Sequence, residues 1–187
     1  MSKGRLIRSF LLATVFVLTS CLSQGAPQQT TASALHSKLL KPAVAVPAAC
    51  PITPVFTGDT GKSGLGLVPW MKAEPSSAGI IGYLFFADSQ LAPAGLYRPL
   101  HTGGSYPDGS TTKILWVTDH HGASTSMQIT GTKQGTVYAM FQQTFPMASP
   151  AGNYPSLVNI PTAGCWQLQL TSGTLTAAVT VWAVGNA

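Results

Sequence analysis

The sequence predicts an all-β domain, and three observations lead there. Residues 161–184 read as a hairpin: Trp166, Leu168 and Leu170 alternate with Gln167, Gln169 and Thr171, Thr171-Ser172-Gly173 is a turn signal, and Leu175, Ala177, Val179, Val181 and Ala183 form one apolar face of a second strand. Charged residues are only 8% of the chain, against about 25% in an ordinary soluble protein, while Gly (19) and Pro (14) are plentiful. The remaining apolar runs are short and bounded by turn formers, and no segment carries a convincing helical period. A lone hairpin is marginal in water, so the preceding segments must supply its partners.

Taken in order, residues 79–87 (GIIGYLFFA) form a nearly continuous apolar run suited to a buried strand. Residues 111–119 (TTKILWVTD) follow, with Ile114 and Trp116 on one face and Leu115 and Val117 on the other. Met127 and Ile129 alternate with polar neighbours in 125–131, and 135–145 sets Val137, Ala139 and Phe141 against Tyr138 and Met140. Residues 131–135 between them read as a hairpin turn. Residues 157–160 give a short strand before the closing hairpin. The sum is about seven strands at the spacing of an Ig-like antiparallel β-sandwich. Residues 88–110 are the long exception, with Leu91, Leu96, Tyr97 and Tyr106 set among Pro and Gly; long irregular loops in compact domains are often functional.

The N-terminus reads as an address. Lys3, Arg5 and Arg8 precede a nine-residue apolar run, FLLATVFVL, too short for a resident membrane span. Leu18-Thr19-Ser20-Cys21 then resembles the bacterial lipoprotein signal, the lipobox. That resemblance implies a signal peptide over 1–20, removed by cleavage, and a lipidated Cys21 as first residue of the mature chain. It places the protein at the cell membrane or outer membrane, on the extracytoplasmic side. More than one acyl chain makes such an anchor stable. Removing 1–20 leaves seven basic against five acidic residues and no basic cluster, which excludes a nucleic-acid partner. Residues 21–49, rich in Gln, Thr, Ala, Ser and Pro, read as the lipidated Cys and a flexible linker reaching on the order of 30 Å. Within it, residues 34–40 could wind a helical turn or two before Pro42. The β-sandwich domain is assigned to 50–187.

With Cys21 lipidated, Cys50 and Cys165 remain, and in an oxidising compartment an isolated pair is most simply a disulfide. By alternation Cys165 faces away from Trp166, which places the bridge at a sheet edge or domain end rather than in the core.

Few groups carry chemistry. Gly61-Lys62-Ser63 resembles the end of a phosphate loop, but Phe56 occupies the position of its first glycine. No Gly-x-Ser-x-Gly occurs. Glu74, Asp59, Asp88, Asp108 and Asp119 are dispersed along the chain, so neither a glycosidase carboxylate pair nor a calcium loop is legible. Asp119-His120-His121 is the sharpest local cluster; adjacent strand residues face opposite ways, so both His could meet one ion only from a turn, with His101 joining from its loop. Trp70, Tyr97, Tyr106, Tyr154 and Trp182 are the aromatics that could stack on a ligand or pack beneath a loop, and burial is the commoner fate of large aromatics.

Tyr154-Pro155-Ser156 through Pro161-Thr162-Ala163-Gly164-Cys165-Trp166, with Lys113-Ile114-Leu115-Trp116-Val117 upstream, resembles a group of uncharacterised exported bacterial proteins whose β-domains end in a Pro-x-x-Gly-Cys-Trp closing hairpin. The resemblance implies an exported β-sandwich and no activity. The functional expectation is a non-catalytic lipoprotein that uses no cofactor or metal and binds an envelope protein or polysaccharide, with Tyr97, Tyr106, His120 and His121 as candidate ligand contacts. The alternative is a small-ligand or metal site at His101, His120 and His121, with a hydrolase behind it.

Overall fold

The computed structural model describes residues 37–58, 60, 65, 68–88, 90–119, 125–137 and 140–185. Twelve strands lie among them: β1 (Lys38–Pro42), β2 (Val55–Thr57), β3 (Trp70–Lys72), β4 (Ile81–Leu84), β5 (Leu96–Tyr97), β6 (Leu100–His101), β7 (Lys113–Val117), β8 (Ser126–Lys133), β9 (Met140–Pro146), β10 (Asn153–Leu157), β11 (Gly164–Ser172) and β12 (Leu175–Val184). Single 3-10 turns occupy Ser76–Ala78 and Ala92–Ala94. The fold is an all-β sandwich of a seven-stranded sheet, ordered β10-β7-β4-β3-β2-β1-β5, and a five-stranded sheet, ordered β6-β12-β11-β8-β9.

Strand alternation builds the core. From the first sheet Leu40, Val55, Met71, Leu84, Ile114, Trp116 and Tyr154 turn inward; from the second come Met127, Ile129, Trp166, Leu168, Leu170, Val179 and Val181, all within one buried cluster. The closing hairpin has the predicted polarity: Trp166, Leu168 and Leu170 are fully buried, whereas Gln167 and Gln169 are exposed. Tyr154 Oη and Ser172 Oγ, 2.8 Å apart, join β10 of one sheet to β11 of the other inside the core, so neither hydroxyl is left unpaired there. Trp116 lies over its cross-strand partner Gly82, where an added Cβ would come within 2.5 Å of the indole; only glycine admits the ring at that place.

Six expectations are corrected. The strands number twelve among the described residues rather than about seven, because β1, β2, β3, β5 and β6 have five residues or fewer and show little periodicity. The pairing is not purely antiparallel: β1–β5 and β12–β6 are parallel. The segment read as linker contributes β1, which pairs with β2 and β5 and buries Leu40, so residues 38–42 are strand rather than linker or helical turn. Residues 88–110 are likewise partly regular, holding β5 and β6. Residues 131–135 are not all turn: β8 runs on to Lys133, and Gln134-Gly135 make the bend. The strand expected at 157–160 lies slightly earlier, as β10.

One edge of β12 positions the candidate site. Its first edge is paired with β11 throughout. Along the other, Glu74 exchanges two backbone hydrogen bonds with Ala178 (2.9 and 2.7 Å), and the Thr53 N–H donates to the Thr180 carbonyl (2.8 Å). The Thr180 N–H in turn donates to Thr53 Oγ1 at 2.8 Å. Chain flanking β2 and β3 of the first sheet is thereby fastened to the second, and the outer faces of the two sheets meet along a seam.

The Cys50–Cys165 disulfide is present, with Cα atoms 5.6 Å apart and a sequence separation of 115. Cys165 is the second residue of β11, half-buried on the face opposite Trp166. The bridge thus sits at a strand end, as alternation predicts, and ties the β1–β2 connection to the closing hairpin.

Candidate functional site

A cavity of about 640 Å³ opens along this seam, within the size range of small-ligand sites. Pro51 and Pro54 come from the segment fastened to β12; Phe56, Trp70 and Lys72 come from β2 and β3; Gln167 and Thr180 come from β11 and β12. Phe56 and Trp70 are cross-strand partners pointing outward, with ring centroids 4.9 Å apart at 31°. Tyr83 continues the same row on β4 but is fully buried, its hydroxyl meeting Thr60 Oγ1 at 2.7 Å. Tyr83 thus backs the pair without lining the cavity, whose apolar wall is Phe56, Trp70, Pro51, Ile52 and Pro54. The wall is therefore largely aromatic and apolar, with polar groups on the side of the second sheet. Lys72 and Glu74 are its charged members. The Glu74 carboxylate accepts the Ser76 N–H at 2.7 Å, which fixes its direction.

A shallower depression of about 260 Å³ adjoins the first, sharing Glu74, Gln167 and Ala178 with it. It lies on the outer face of the five-stranded sheet. Thr180, Gln167 and Thr132 stand in one cross-strand row there, Gln169, Thr130 and Gln142 in the next, and Thr176, Thr171, Gln128 and Thr144 in a third. Each hydroxyl and carboxamide can both donate and accept. Among the described residues, the groove and this face together offer ring stacking beside two-way hydrogen bonding, without a nucleophile–base pair.

The sequence-predicted residues lie elsewhere. Tyr97 and Tyr106 are 8% and 4% exposed and belong to the core, so they are not ligand contacts: β5 turns Tyr97 inward beside β1, and Tyr106 donates from its hydroxyl to the Pro99 carbonyl at 2.6 Å. Burial pushes the Tyr97 phenol up to about 12. It raises Tyr106 as well, against the lowering influence of Arg98. Arg98 lies 3.6 Å above the Tyr106 ring and pairs with Asp108 at 2.8 Å. The Asp108 carboxyl accepts the Ser110 hydroxyl and N–H; these bonds and then Arg98 hold it down at about 2. The His101 ring packs 4.8 Å from Tyr106. This cluster braces the 88–110 loop. His120, His121, Gly61-Lys62-Ser63 and Cys21 lie outside the described residues, and among those described no three His, Cys, Asp or Glu side chains gather as metal ligands.

Of the other aromatics, Tyr154 is fully buried and Trp182 half-buried beside its cross-strand partner Cys165. Trp70 alone of the five reaches the groove. Phe56 escaped sequence reasoning, where it figured only as a misfit in a phosphate loop. The legible signal for the second wall was the Gln167, Gln169, Thr171 alternation. Set against protein-family models, curated proteins and solved structures, the chain matches none.

Proposed function

We propose that this protein is a lipid-anchored extracytoplasmic binding protein whose β-sandwich engages a component of the cell envelope, and that the seam groove is where it does so. The observation that carries the binding role is the juxtaposition of the Phe56–Trp70 pair with Gln167 and Thr180 around one cavity. Such a concave, mostly apolar site with a few convergent polar groups is the usual form of a binding pocket. The lipobox sequence supports the anchor at Cys21, and a disulfide suits an oxidising compartment. The same reading makes the protein a resident of the cell membrane or outer membrane that acts without a cofactor.

Two measurements test it. In the native host, wild-type protein should incorporate labelled palmitate and sediment with membranes, and Cys21→Ser should do neither. A photoreactive residue placed at Lys72, on the groove wall, should trap an envelope component that the same residue at Thr174, on the closing hairpin turn, does not. Equal trapping at both positions, or none at Lys72, would remove the groove from the function.

A further inference from the structure

The outer face of the five-stranded sheet has an unusual composition. Its three cross-strand rows over β12, β11, β8 and β9 hold twelve outward positions, of which ten are Gln or Thr; Ala178 and Met140 are the others, and none is ionisable. At ordinary strand and residue spacings the array measures about 14 Å in each direction. It is continuous with the seam groove, because Gln167 and Ala178 border both depressions. A solvated sheet face usually carries Lys and Glu among its Thr residues; these rows carry neutral hydrogen-bonding groups at ten of the twelve positions and no charge.

We propose, building on the binding role assigned above to the groove, that its occupant is an extended neutral polysaccharide, seated on Phe56 and Trp70 and continuing across the Gln/Thr rows. A sugar ring has an apolar face of C–H groups and a rim of hydroxyls that donate and accept. Aromatic rings complement the first, and carboxamides and hydroxyls complement the second. Charge argues the same way. A polyanion needs a Lys/Arg cluster, and the array has none; in the groove Lys72 is offset by Glu74. A protein partner would draw its binding energy from Trp, Tyr and Arg anchors, with Thr under-represented among them. Strand addition at the second edge of β12 is blocked, since Thr53 and Glu74 already occupy its backbone groups.

The test is binding of the full lipidated chain, in detergent, to an array of oligosaccharides: neutral hexose and N-acetylhexosamine oligomers beside uronic-acid and sulfated ones. Binding should be confined to neutral members, insensitive to salt, and quench tryptophan fluorescence. Gln169→Glu, an exposed change that leaves the core untouched, and Trp70→Ala should each weaken it by about tenfold or more, while Thr174→Glu should not. Binding to acidic members alone, indifference to Gln169→Glu, or no binding to any member would overturn the glycan assignment. If the array is silent while the Lys72 cross-linker still traps an envelope component, the groove reading stands and the occupant is a protein. If both are silent, the groove reading falls with it.

Discussion

The ring of Phe141 lies across Gly131, its cross-strand partner, in the space a Cβ would take. Gly131 sits mid-strand in β8 between the inward residue Ile129 and the strand end, and Phe141 of edge strand β9 closes over it to reach Trp166, 5.4 Å between centroids. Glycine in a strand interior weakens it, yet here it lets an edge aromatic fold over the sheet and cover the core.

Gly131→Ala is therefore expected to destabilise by about 1–3 kcal/mol through overpacking. Urea denaturation followed by tryptophan fluorescence gives the value. In Gly131→Ala/Phe141→Ala the clash is gone, so the two changes should be clearly non-additive; strict additivity would mean that the ring and the glycine are independent.

Removing the disulfide should be costly. Closing a loop of this length stabilises by about 4–5 kcal/mol in the chain-entropy model, and the bridge fastens the segment leading to Pro51 and Pro54 of the groove. Cys50→Ala/Cys165→Ala should lower the urea midpoint accordingly. Groove binding should weaken with it under conditions where the variant remains folded.

High pH should unfold the domain through its buried phenols. The folded-state value of Tyr97 is raised from 10.0 to about 12 by burial, so its contribution is complete below pH 10 and is lost as pH rises from there toward 12. Tyr106 shifts in the same direction. Tyrosinate absorbance and loss of β-sheet circular dichroism should rise together across that window in wild type. In Tyr97→Phe the unfolding should move to higher pH.

At the acid end, the Asp108 carboxyl is depressed from 3.8 to about 2 by its bonds to Ser110 and then by Arg98. Its contribution to the loop is thus full above pH 4 and fades as pH falls toward 2. A carboxyl-carbon NMR titration should place the Asp108 midpoint near 2, and Ser110→Ala should raise it. An Asp108 midpoint near 4 in wild type would show that the Ser110 and Arg98 bonds are not held in solution.

The sequence alone determined the all-β class and the polarity of the closing hairpin; Cys50–Cys165 was only the simplest pairing it offered, and the bridge itself is closed by the tertiary structure. Class and polarity are both written locally, in short apolar runs bounded by turn formers and in alternation at period two along β11 and β12. The tertiary structure decided the rest. Strands of two to five residues such as β2, β3 and β5 hold too few positions to show a period, and their identity comes from the partners they find. Tyr97 and Tyr106 looked like loop aromatics until β5 and the Pro99 carbonyl drew them inside. Phe56 and Trp70, separated in the chain by the β2–β3 loop, meet at 4.9 Å only because strand pairing sets them in register. The groove exists only because Thr53 and Glu74 reach the far edge of β12. Local pattern encodes which way a side chain faces; non-local hydrogen bonding decides what it faces.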